Sequence, residues 1–89
     1  MSALCRAFGR VLRQRREQAG WSQELLAEKA DLNRSYIGEL ERGQAVPSLI
    51  TLEKLAAALE LSPSYLLAQA ERAAQKLHLT GLELTSIAC

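Results

Sequence analysis

Apolar residues recur at helical spacing in five successive windows of the 89-residue chain. Between residues 4 and 18, Leu4, Phe8, Val11 and Leu12 form one stripe, and Gly20 closes the segment. Ser22 then offers an N-cap oxygen and Glu24 sits favourably in the first turn of a short second helix. Leu25, Leu26, Ala27 and Ala30 give that helix, Gln23–Ala30, its buried side. After Asp31 and Leu32, Asn33 can cap a third helix whose inward face is Tyr36, Ile37 and Leu40, and Gly43 ends it. Pro47 and Ser48 start a fourth, with Leu49, Leu52, Leu55, Ala56 and Leu59 facing inward and Leu61 plugging its end. Ser62 caps a fifth, and Pro63 suits its first position because the ring already has the required φ and no amide proton is needed there. Leu66, Leu67, Ala70, Ala73, Ala74 and Leu77 carry that helix to about residue 76. Beyond it, Leu77, Leu79, Leu82 and Leu84 alternate with polar residues around Gly81, which predicts an extended or strand-like segment. A lone hairpin is marginal in water, so this segment must pack on a partner or remain mobile.

Composition agrees with an all-α fold. Leucine and alanine supply 31 of the 89 residues, against 8 for Val, Ile and Thr together. The length fits one domain, read here as residues 1–76, with residues 77–89 as an apolar tail that is a candidate dimer or partner contact. A single core of this size buries only about 60% of the unfolded surface, which favours dimerisation as added support. Cys5 and Cys89 lie near opposite ends without C-x-x-C spacing and read as reduced thiols. The first residues lack the continuous apolar stretch of a signal peptide, and no 18 apolar residues run together, so a cytoplasmic protein is expected.

The residue inventory speaks against catalysis. His78 is the one histidine, which excludes a His-rich zinc site, and no carboxylate pattern supports a Cys-His pair. No glycine-rich phosphate loop is present. No enzyme activity, metal or other cofactor is expected. The net charge of +1 removes any argument from bulk charge to nucleic acid or membrane. Distribution matters more: Arg6, Arg10, Arg13, Arg15 and Arg16 precede the first acid, Glu17, and the chain through Gly43 carries 8 basic and 6 acidic residues against 3 and 4 after it. By itself such a run reads first as a solvated basic face and second as a phosphate-contacting one.

About three residues separate the second and third helices. So short a link cannot lay them side by side, but it can hold them at roughly 90 to 120 degrees, the helix-turn-helix geometry, here over residues 22–42. The stretch WSQELLAEKADLNRSYIGELERGQAVPSLITLEKLAAAL resembles the phage-repressor-like helix-turn-helix family that includes Cro and the lambda repressor, often called XRE. The likeness runs from about Phe8 to Leu67. It rests on Ser22-Gln23 opening the second helix, Ala27 at the crossing, Ile37 and Leu40 in the core, and Glu41-Arg42-Gly43 followed by Pro47-Ser48-Leu49. Among short members, the spacing looks like that of the controller proteins of restriction and modification operons. One departure is Asp31, where the family usually has a glycine in the left-handed region; aspartate tolerates that region at some cost in strain.

The resemblance implies that the third helix enters the major groove with its N-terminal residues against base edges. Asn33, Arg34, Ser35 and Glu39 are then the base-reading candidates: arginine suits guanine N7 and O6, serine can donate or accept, and glutamate can accept from cytosine N4. Arg34 could instead contact phosphate alone, and Glu39 could serve only to exclude wrong bases. Ser22 and Gln23, at a helix N-terminus that favours anions, Tyr36, Arg42, Gln44 and Ser48 are implied phosphate contacts, with Arg10 and Arg13 as further backbone contacts. Arg16 and Glu41 match positions that form a structural ion pair in the family, and Trp21 reads first as a hydrophobic staple on the second helix and second as a DNA contact.

One such module buries too little surface for selective binding, so a homodimer on an inverted repeat is expected. Ile50, Tyr65, Leu67, Leu77, Leu79 and Leu82 are the interface candidates, because the helical core does not need them all. The resulting reading is a transcriptional regulator of double-stranded DNA, more often a repressor than an activator. The alternative is an antitoxin or adaptor that keeps the fold and binds another protein through the leucine-rich end after residue 76.

Overall fold

The computed structural model describes the backbone of residues 2–81 and the side chains of residues 2–76. Five helices follow one another: α1 (Ala3–Gln18), α2 (Gln23–Ala30), α3 (Arg34–Glu41), α4 (Leu49–Ala58) and α5 (Pro63–Gly81), with no strand among the described residues. Each helix begins at a short polar side chain that accepts a backbone N–H in the first turn. The caps are Ser2 on Cys5 at 3.1 Å, Ser22 on Leu25 at 3.0 Å, Asn33 on Ser35 at 2.7 Å, Ser48 on Thr51 at 3.0 Å and Ser62 on Tyr65 at 3.1 Å. Substituting such a cap typically costs about 1 kcal/mol, so five of them define the helix starts locally, before any tertiary contact forms.

The stripes meet in one core. Phe8, Val11 and Leu12 of α1, Leu26, Ala27 and Ala30 of α2, Ile37 and Leu40 of α3, Leu52, Leu55 and Ala56 of α4, and Leu66 and Ala70 of α5 form a single buried cluster. α1 packs on α3 and α5, α2 on α3 and α4, and α4 on α5. Thr51 is the buried polar residue here, and its hydroxyl is matched by Ser48 Oγ at 3.0 Å and the Tyr36 hydroxyl at 3.3 Å. No described helix is long and apolar enough to cross a membrane.

Three expectations change. Leu49, placed on the core face of α4 by its spacing from Leu52, is 80% exposed, and Leu4, counted in the α1 stripe, is 41% exposed. Both sit in the first turn of their helix, beyond the reach of the layer that covers Leu52 and Phe8. The segment after residue 76 is not extended up to residue 81: α5 runs on through Gly81. Leucine is among the strongest helix formers, and lengthening an existing helix needs no new nucleus, so a short period-2 alternation does not stop it. Residues 82–89 lie outside the described residues.

Candidate nucleic-acid interface

The three-residue link between α2 and α3 works because of its backbone. Asp31 takes the left-handed conformation at φ 55°, ψ 52°, and the Leu32 N–H bonds back to the Ala27 carbonyl at 2.8 Å. Lys54 of α4 holds the turn from outside, donating to the Asp31 carbonyl at 3.2 Å with the Asp31 carboxylate 3.6 Å away. Ala27 and Ala30, both buried, keep the crossing of α2 over α3 thin. Because Ile37 and Leu40 point into the core, α3 turns Arg34, Ser35 and Glu39 to solvent. The Asn33 side-chain carbonyl is committed to its cap, which leaves the amide group outward.

A buried ion pair locks α3 to α1. Arg16 Nε and Nη2 donate to the two Glu41 oxygens at 2.7 and 3.0 Å, and Arg16 Nη1 donates to the Trp21 carbonyl at 2.8 Å. The Glu41 side chain is only 3% exposed. Glu41 holds the Arg16 guanidinium above its ordinary pKa, against the lowering effect of burial, so the charge stays on at every working pH. Gln23 joins the pair: its Nε2 donates to Glu41 Oε1 at 3.0 Å. Its side chain is therefore partly spent inside the protein, and among the first amides of α2 that of Leu25 is taken by the Ser22 cap at 3.0 Å.

Gly9 explains how α1 comes so near. A β-carbon there would overlap the Leu40 carbonyl oxygen and lie 2.8 Å from that of Glu41. Sequence reasoning did not single out Gly9; the available signal was a glycine inside an apolar helical stripe, which has a packing reason when it persists.

The other implied phosphate contacts fall into separate groups. Arg42 Nε donates to Gln44 Oε1 at 3.0 Å beyond α3, where Gly43 (φ 72°) lies against the Arg6 stem. The Tyr36 hydroxyl, between the Val46 carbonyl at 3.5 Å and Thr51, and the Ser48 hydroxyl, which donates to Thr51, form one cluster at the start of α4. Arg10 and Arg13 line a groove between α1 and α5 with Gln14, Ala73 and Lys76, and Arg13 pairs with Glu17 at 3.0 Å. Trp21 packs against the core, with Lys29 4.9 Å over its ring.

The interface candidates also separate. Leu67 lines an apolar groove of about 200 Å³ with Leu4, Val46, Pro47 and Leu49; Ile50, next in sequence to Leu49, is 65% exposed and is not among the lining residues. Tyr65 is elsewhere. Arg15 donates to its hydroxyl at 3.2 Å and lies 5.5 Å over its ring, on the side of α5 away from Leu67. Leu77 and Leu79 belong to α5 by backbone, and Leu82 lies outside the described residues. Among the described residues no cluster of three or more His, Cys, Asp or Glu could hold a metal ion.

Comparison with known proteins places this geometry. The family model described as helix-turn-helix matches residues 12–66. The control protein C.BamHI of Bacillus amyloliquefaciens is 44% identical over 61 residues, covering 67% of this chain and 75% of its own length. The HTH-type transcriptional regulator SutR of Escherichia coli is 36% identical over 61 residues, or 68% of this chain, but the match spans only 34% of that longer regulator. Among solved structures, the restriction-modification controller protein C.AhdI from Aeromonas hydrophila superposes with a TM-score of 0.70 at 46% identity. That match covers 73% of this chain and 98% of C.AhdI.

Proposed function

The chain belongs to the helix-turn-helix family of the XRE type, and from that membership we propose that it is a sequence-specific regulator of transcription that binds double-stranded DNA as a homodimer. The observation that carries the reading is the outward face of α3. Arg34, Ser35 and Glu39 stand exposed on a helix whose opposite face is buried and whose end is pinned by the Arg16–Glu41 pair. Arg34 reads a guanine through N7 and O6, Ser35 its neighbour, and Glu39 accepts from a cytosine amine; the Asn33 amide lies at the same end of the helix. Ser22 and the amides that open α2 clamp one phosphate, and Arg42 with Gln44 approaches another. Tyr36 and Ser48, whose hydroxyls are engaged with Thr51, serve chiefly to fix the start of α4.

Two subunits join through the apolar edge of Leu49, Ile50 and Leu67, supported by the exposure of all three. Their recognition helices then face half-sites about 34 Å apart on an inverted repeat. The relatives named above are regulators and control proteins, so no catalytic step enters the reading. The partner-module alternative drew on the leucine-rich end after residue 76, and no contact of the described residues favours it.

Selection from a random duplex library tests the proposal. The wild-type chain should enrich an inverted repeat, and Arg34→Ala should lose about 1–3 kcal/mol at one base position per half-site while folding normally. Gln23→Ala should weaken all sequences alike. A wild-type protein with no preference among duplexes would overturn the reading.

A further inference from the structure

Gly38 is in the middle of α3, where glycine weakens a helix relative to alanine. Gly9 has a backbone reason for lacking a side chain; Gly38 has none. The three atoms nearest a β-carbon at Gly38 all belong to the ends of side chains: Arg42 Nη1 at 3.1 Å and Cζ at 3.8 Å, and Gln23 Oε1 at 3.7 Å. Those two long side chains cover Gly38 so fully that it is buried, although Arg34, Ser35 and Glu39 around it are exposed. Arg34, Gly38 and Arg42 are spaced four apart and share one face. The missing β-carbon is thus a notch in the outward face of α3. The Arg42 guanidinium lies back across this notch toward Gln23 and the start of α2, with Arg42 Nε braced on Gln44 at 3.0 Å.

We propose that Gly38 is a positioning residue for DNA binding: its notch seats the Arg42 guanidinium beside Gln23, so that Arg42 and the α2 N-terminus grip the phosphate backbone as one unit. The inference rests on the DNA-binding reading and adds to it. It predicts a residue that the fold would exchange for alanine with profit and that binding would not. An added methyl needs Arg42 Nη1 to shift by only a few tenths of an ångström, which a flexible side chain does at little cost to stability. With Nε braced on Gln44 and the Nη groups on a phosphate, the guanidinium is held from both sides, and the same shift then weakens one of those bonds.

The test measures two things on the intact chain. For Gly38→Ala without DNA, thermal unfolding should move up by about 2–8 °C, the helix-propensity gain for a domain of this size. With duplexes selected by the wild-type protein, and equally with random duplex, Gly38→Ala should bind roughly tenfold more weakly and lose about one unit of salt slope, because what is displaced is a phosphate contact. Arg42→Ala should do the same, and Gly38→Ala in the Arg42→Ala background should add no further loss. A fall in the melting temperature would mean that the fold itself requires the notch and would overturn the proposal. So would wild-type binding by Gly38→Ala, or losses that simply add in the double variant. A wild-type chain without DNA selectivity would instead sink the functional reading, a separate and visible outcome.

Discussion

The side of the molecule that carries α3 and the side where α4 begins treat their surface groups in opposite ways. Around α3, polar side chains are held by one another: Arg16 and Gln23 on Glu41, Arg42 on Gln44, Lys54 on the Asp31 carbonyl. Around the start of α4, Val46, Leu49 and Ile50 protrude, and the apolar groove lined by Leu4, Val46, Leu49 and Leu67 has no cover among the described residues. Both sides are built on the same kind of scaffold, a serine- or asparagine-capped helix packed on the common core. The difference is that one surface is completed by intramolecular bonds and fixed in shape, as reading a rigid duplex requires. The other leaves apolar groups exposed, the kind of patch that a second surface covers.

The contrast can be attacked where it is strongest. Glu41→Ala should destabilise the fold by about 3 kcal/mol in urea unfolding, because Arg16 keeps a charge with little access to water. A loss below about 1 kcal/mol would mean that the network around α3 is ornamental. Gly9→Ala should cost about 1–3 kcal/mol, since the new carbon overlaps backbone that cannot yield without parting α1 from α3. Its sign is opposite to the one expected for Gly38→Ala, so the two glycines sharpen the distinction between a packing contact and a surface notch. On the other side, changing Leu49 and Ile50 to lysine should leave monomer stability within about 0.5 kcal/mol. It should raise the dimer dissociation constant at least tenfold, read by sedimentation; a large loss of monomer stability would show that the apolar side is core after all. The smallest effect belongs to Arg13→Ala, since Arg13 and its partner Glu17 are both more than half exposed: a change within about 0.5 kcal/mol in unfolding.

Much of this architecture is legible in the chain because its causes are local. Ser22, Asn33, Ser48 and Ser62 each bond an amide two or three residues on, and Gly20, Gly43 and Asp31 take positive φ where the segments end. Such signals depend on sequence neighbours alone. The outward placement of Arg34, Ser35 and Glu39 is equally legible, since it follows from the inward placement of Ile37 and Leu40 three to four residues away. The family likeness rests on Ser22, Ile37, Leu40 and Ser48 among these, together with Ala27 and Glu41-Arg42-Gly43, and the helix-turn-helix match over residues 12–66 agrees with it.

What periodicity could not settle was decided between elements. Leu49 and Leu52 share a helix face, but only the end of the neighbouring layer determines that one is covered and the other is not. Tyr65 and Leu67 are two residues apart and about equally exposed, yet Arg15, fifty residues away in sequence, bonds the tyrosine while the leucine lines the apolar groove. The roles of Gly9 and Gly38 are identical on paper; backbone stands over one and two flexible side chains over the other. Where each helix starts, which face it turns inward and which residues α3 can show to DNA follow from bonds within a turn or two and are written in the chain. The tertiary structure alone decided which apolar residues remain exposed and which polar ones are already spent, because that depends on what the far parts of the chain bring to the same place.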